Sequence, residues 1–145
     1  MTTNVTNGLR KVLADSFVLY FKTHGFHWNV EGPQFKSLHD LFGEQYNELW
    51  IATDELAERL RSLGEYAPIS WSSMVSPATL KEASDVLDAP AMVKQLAADH
   101  TALALSIKPA LKAAQDADDE VTADLLIGRM TIHEKTAWML NSLTR

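Results

Sequence analysis

Residues 24–60 read HGFHWNVEGPQFKSLHDLFGEQYNELWIATDELAERL, and the stretch divides at Gly32-Pro33 into the end of one helix and most of another. After the break, Leu38, Leu41, Phe42, Leu49, Leu56, Leu60 and Leu63 recur at three- and four-residue steps, the period of an amphipathic helix. On that phase His39, Asp54 and Glu58 fall within an arc of roughly 100°, so they share one side of the helix. They do not share a neighbourhood. His39 and Asp54 are fifteen residues apart, roughly 22 Å along a helix axis, whereas an imidazole or carboxylate ligand sits ~2 Å from its ion. Asp54 and Glu58, at i and i+4, can clamp one ion together, but His39 of the same chain cannot join them. An antiparallel second copy, related by a two-fold axis near residues 48 and 49, would bring His39 of one chain beside Asp54 and Glu58 of the other and generate the arrangement twice. His27 would reach in from the end of the preceding helix. The spacing therefore predicts a metal site split across a dimer interface.

Taken singly, each of these residues has an ordinary explanation. A histidine on a partly apolar helix is commonly a hydrogen-bonded interface residue, and Asp54, Glu55 and Glu58 could form a solvated stripe near Arg59 and Arg61. Their joint phase and register is what argues for a metal.

The 145 residues suit one domain, 1–145, with one core. The apolar runs, such as residues 17–21, are far short of a membrane span, and the start MTTNVTNGLRK lacks the basic, apolar and small-residue succession of an export signal. A cytoplasmic setting is expected, with nucleoid association if DNA is engaged. Without cysteine there is no disulfide, thiolate metal site or cysteine nucleophile. A formal charge of −6 and a pI near 5.3 make the surface repel nucleic acid unless positive groups cluster, and no lysine-rich run is present.

Four long helical patterns are visible. The first covers residues 4–30, with Leu9, Val12, Leu13, Phe17, Tyr20 and Phe21 as its core stripe. The second covers residues 34–63 and stops at Gly64, where glycine accepts a positive φ. Ser76-Pro77 reads as a cap and first-turn proline for a short helix over residues 78–83, inside a connection too long for a tight hairpin. The third runs over residues 89–115, and Pro109 should kink or shorten it. The fourth runs over residues 120–143, with Val121, Leu125, Ile132, Trp138 and Leu140 at core-like spacing. Two short loops and one long middle connection give an all-α, ferritin-like four-helix bundle, with the short helix in the crossover between the second and third helices.

A metal centre inside one bundle would ordinarily use Glu-x-x-His on two helices. That pattern is absent: three residues before His24, His27, His39, His100 and His133 stand Phe21, His24, Lys36, Ala97 and Met130. HEKTA at 133–137 also fails the HExxH zinc pattern, because its fifth residue is Ala137.

HWNVEG, followed by F-x-x-LH, D-x-x-AER, LG and finally HEKTAWML, resembles the Dps family of mini-ferritins across almost the whole chain. The resemblance implies a hollow shell of twelve subunits and a ferroxidase site at each two-fold interface. His27 and His39 of one chain and Asp54 and Glu58 of the other would hold iron, oxidised by hydrogen peroxide or dioxygen. It also implies that Asp40 and Glu44 nucleate mineral inside the cavity, although a solvated face explains them as well. Asp119 and Asp124 would line entry pores, although acidic residues near a helix N-terminus also favour its dipole. Trp28 reads as a core aromatic or an electron donor. One position departs from the family pattern: four residues after His39, where a carboxylate is usual, this chain has Gly43, and Glu44 points roughly 100° away. A weakened or water-completed second iron position is expected. The function implied is iron storage and detoxification that protects DNA, with weak DNA binding. The alternatives are a DNA-compacting shell or a ferroxidase-impaired structural cage.

Overall fold

A computed structural model describes residues 2–145, with α1 (Thr2–Asn29), α2 (Phe35–Ser62), α3 (Trp71–Val75), α4 (Ala89–Asp116) and α5 (Glu120–Ser142). The described residues form helices and connecting segments only. The expected all-α, ferritin-like bundle with a crossover helix is therefore the observed fold. α1 pairs with α2, α4 pairs with α5, and α1 packs on α4. Between these layers lies one apolar cluster that includes Leu9, Leu13, Leu19, Phe42, Leu49, Leu56, Leu96, Leu103, Ile107 and Leu126.

The helix ends follow local chemistry. α2 ends at Leu63, and Gly64 behind it has φ +91°, which a residue without Cβ adopts freely. Asp88 caps α4 by accepting from Ala91 N–H at 2.9 Å, and Pro90 sits in the first turn, where its missing N–H is not needed. Pro109 does not end α4. Both Pro109 and Leu105 lie on the exposed side, so the helical bond that proline removes faces solvent.

The crossover helix is displaced from its expected place. Residues 78–83 are not helical; the helix is Trp71–Val75. Ser70 accepts from Ser73 N–H at 3.2 Å while Ser73 Oγ accepts from Ser70 N–H at 3.2 Å, a reciprocal cap in which serine replaces the usual glutamate. Ser76 ends this helix rather than starting another. Beyond it the buried carboxylate of Asp15 accepts from the backbone N–H groups of Thr79 and Leu80 at 2.6 and 2.9 Å. These bonds tie the segment after α3 to α1.

The expected core stripe of the fourth helix is also corrected. Val121 and Trp138 are 64% and 65% exposed, and the side turned inward carries Thr122, Ala123, Leu126, Arg129, His133, Ala137 and Leu140. Apolar residues surround α5, so their spacing alone cannot choose a face. Phe21 of α1 likewise points outward, at 50% exposure.

Candidate metal centre

α1 ends beside the start of α2, and the Gly32-Pro33 turn folds His27 back onto His39. The two rings stack, with centroids 3.8 Å apart and planes 17° from parallel. His27 Nδ1 lies 2.7 Å from the carbonyl oxygen of His39, and His39 Nδ1 lies 2.7 Å from the carbonyl oxygen of His27. A carbonyl only accepts, so both Nδ1 atoms carry the proton and donate. In the neutral rings both Nε2 atoms therefore keep a free lone pair, the state a metal requires. The His27 carbonyl belongs to the last turn of α1, so this bond also satisfies a group the helix leaves open.

Gly43 lies buried against this pair. A Cβ built on it would stand 3.2 Å from His27 Cε1 and 3.3 Å from His27 Nδ1. The glycine is thus the seat of the His27 ring.

Asp54 and Glu58 lie more than three turns further along α2, both exposed. The Glu58 carboxyl is raised above the ordinary carboxylate range, first by its hydrogen bond with Asp54, then by repulsion from the Asp54 charge, and last by desolvation. A bound cation would relieve that repulsion. Among the described residues, no group of three or more histidine, aspartate or glutamate side chains is placed to hold an ion within one subunit. The structure brings His27 to His39 and Asp54 to Glu58, but does not join the two pairs within the chain.

The subsidiary residues divide. Asp40 is exposed and paired with Lys36 at 2.8 Å; the hydrogen bond from Lys36 is the main reason its carboxyl is lowered. Glu44 is exposed. Asp119 caps α5, accepting from Thr122 N–H at 3.0 Å and Thr122 Oγ1 at 2.6 Å, and it pairs with Arg59 at 3.1 Å. Desolvation alone would raise its pKa, but the Thr122 bonds and the Arg59 charge prevail and lower it. Its oxygens are committed to the fold, whereas Asp124 stands exposed one turn on. Trp28 is 58% exposed and lies on His24, centroids 3.9 Å apart, rather than in the core.

Two clusters escaped the sequence reading. Tyr20, His24 and Tyr46 pack beside His27: Tyr20 OH is 3.0 Å from His24 Nδ1, and His24 lies parallel on Tyr46. Burial, then the nearby His27, lowers the His24 pKa; burial, then Tyr46, raises that of Tyr20. The i, i+4 spacing of Tyr20 and His24 was the available signal. In the bundle centre Arg129 binds Glu48 at 2.9 Å and His133 Nε2 at 3.2 Å, and His133 Nδ1 is 2.9 Å from His100 Nδ1. No periodicity rule anticipates such a polar core.

The ferritin-like domain family model matches residues 6–145. DNA protection during starvation protein 2 of Bacillus anthracis is 38% identical over 142 residues, covering 98% of this chain and 97% of that protein. The crystal structure of a Dps protein from Bacillus brevis superposes with a TM-score of 0.96 at 38% identity, over 99% of this chain and 97% of that one. A Dps protein from Vibrio cholerae, described as a member of a broad superfamily of ferritin-like diiron-carboxylate proteins, superposes with a TM-score of 0.94. It is 33% identical, over 99% of this chain and 91% of that one.

Proposed function

Because this chain belongs to the Dps family of ferritin-like proteins, we propose that it oxidises and stores iron in a homo-oligomeric shell of twelve subunits. Fe(II) is the substrate. His27 and His39 of one subunit, with Asp54 and Glu58 of a two-fold partner, bind it at the interface. The observation that carries this reading is the reciprocal lock of His27 and His39, which leaves two Nε2 lone pairs free, on a chain whose α2 also carries the neighbouring carboxylates Asp54 and Glu58.

Imidazole retains Fe(II), and hard carboxylate oxygen favours the Fe(III) product. Two Fe(II), one hydrogen peroxide and two protons yield two Fe(III) and two waters; dioxygen is the slower oxidant. Consuming iron and peroxide together suppresses hydroxyl-radical formation and so protects DNA chemically. With Gly43 in place of a carboxylate, the second iron is completed by water and held weakly. Asp40 and Glu44 face the cavity as mineral nucleation sites, and Asp124, more than the capped Asp119, serves the entry pore. The setting is cytoplasmic. No helix among the described residues is long and apolar enough to cross a membrane. The net charge of −6 disfavours compaction of DNA as the main role.

Stopped-flow absorbance after mixing Fe(II)-loaded protein with peroxide should show a ferric signal well above a protein-free control, and its absence sinks the reading. The division of the site is tested by mixing His39→Ala subunits with Asp54→Ala/Glu58→Ala subunits. Under verified subunit exchange, mixed interfaces should regain ferric formation, whereas no recovery excludes the interchain arrangement.

A further inference from the structure

Beside the histidine lock lies a cluster that the iron chemistry above does not use. Tyr20 and His24 occupy successive turns of α1, with the phenolic oxygen 3.0 Å from His24 Nδ1. A phenol O–H is a far stronger acid than a neutral imidazole N–H, so Tyr20 donates and His24 accepts. The His24 ring lies on Tyr46, centroids 3.8 Å apart and planes 8° from parallel. Tyr46 is 5.1 Å from the His27 ring and 6.2 Å from the Tyr20 ring, and His24 itself is 5.9 Å from His27. Aromatic contacts thus run without interruption from the ligand His27 to Tyr20. Of the three tyrosines, only Tyr20 has a base on its hydroxyl among the described residues. Tyr66 is 79% exposed beyond the end of α2, under Arg61.

A tyrosine surrenders an electron readily only when its proton leaves in the same event, and a hydrogen-bonded neutral imidazole is the group that takes it. We infer that Tyr20 is a one-electron donor to the interfacial iron site, with His24 accepting the phenolic proton. This rests on the peroxide-linked iron oxidation proposed above. Hydrogen peroxide needs two electrons, and a site holding one Fe(II), as Gly43 favours, supplies only one. Alone, that electron splits the O–O bond into hydroxide and hydroxyl radical. With Tyr20 supplying the other, Fe(II), Tyr–OH, neutral His and H2O2 give Fe(III), Tyr–O•, HisH+ and two OH−. The O–O and phenolic O–H bonds break, and an imidazole N–H bond forms. A later Fe(II) reduces the tyrosyl radical while His24 returns the proton, so the pair is regenerated and no radical escapes.

The test has two arms on the assembled protein. In the iron-free arm, photogenerated ruthenium(III) tris-bipyridine oxidises the protein and electron paramagnetic resonance reads the radical. A tyrosyl signal should form more slowly in D2O than in H2O. Tyr20→Phe, which keeps the ring contacts, should lose it, and Tyr66→Phe should leave it unchanged. His24→Phe, which keeps a stacked ring but no base, should also lose it. In the iron arm, protein carrying one Fe(II) per interface site is mixed with peroxide and frozen. Ferric and tyrosyl signals should appear together; in Tyr20→Phe the ferric signal should remain, the tyrosyl signal vanish and spin-trapped hydroxyl radical rise. A tyrosyl signal that survives Tyr20→Phe, or equal radical trapping in both proteins, overturns the inference. A ferric signal with no tyrosyl signal in either arm overturns the inference alone. Absence of the ferric signal overturns the ferroxidase reading, and the donor role falls with it whatever the iron-free arm shows.

Discussion

The protein contains two histidine pairs, and they are opposites. In the surface pair, His27 and His39, each Nδ1 is spent on a backbone carbonyl and each Nε2 is left free at a partly exposed surface. In the bundle-centre pair, Arg129 donates to His133 Nε2, so the His133 proton sits on Nδ1 and is donated to His100 Nδ1. That places the His100 proton on Nε2, which has no hydrogen-bond partner among the described residues. Neither buried ring has a lone pair left to offer, and the nearest charge is the guanidinium of Arg129. The imidazole alone does not make a ligand; the hydrogen bond on its other nitrogen decides.

The sharpest way to break this contrast is to remove the charge that holds the central pair in place. Arg129 is 4% exposed, whereas its partner Glu48 is 38% exposed. Glu48→Leu should cost about 3 kcal/mol, near the low end for stranding a buried charge because water already reaches Glu48. Urea denaturation checks this, and a change within error would mean that the ion pair does not hold the core.

Acid should test the central pair in a second way. Burial first, and then the Arg129 charge, lowers the His100 pKa to about 3; the same causes in the same order, with His100 added, lower that of His133 to about 2. Below the unfolded value near 6.5 the unfolded chain binds protons that the folded chain refuses, so stability falls with pH from about 6.5 toward the folded values. Between pH 7.5 and 5.5 the loss should be roughly 2–3 kcal/mol for the two rings together. Denaturant midpoints at the two values test it, and a His100→Leu/His133→Leu protein should lose most of the slope.

A smaller effect is expected at the surface pair. Gly43→Ala should gain up to about 1 kcal/mol of helix propensity, yet it crowds His27. Stability should therefore rise little or not at all while Fe(II) or Zn(II) affinity, measured anaerobically by calorimetry, falls. Unchanged affinity would show that the ring does not need its glycine seat. The smallest effect belongs to Lys36→Ala. The Lys36–Asp40 pair is exposed, so its loss should leave the thermal unfolding midpoint unchanged within error, and a clear fall would assign Asp40 a structural role.

Much of the layout of the candidate site along α2 was legible before any coordinate. The phase of α2 placed His39, Asp54 and Glu58 on one side, and Gly64 marked the helix end. What could not be read was the inward side of α5, because Val121, Trp138 and other apolar residues surround that helix while Arg129 and His133 occupy its core stripe. The crossover helix failed for a similar reason. Ser76-Pro77 carries a valid local start signal, but the N–H groups it would have used are taken by Asp15, more than sixty residues away.

The sequence by itself determined helix number, length and amphipathic phase, and with them the rule that His39 and Asp54 of one chain cannot meet. These follow from the 1.5 Å rise and 3.6-residue period of any helix. Only the tertiary structure decided the proton positions on the four surface and core imidazoles, the seating of His27 on Gly43 and the Tyr20–His24 bond beside it. Each depends on which groups other helices present at hydrogen-bond distance, and no local period encodes that.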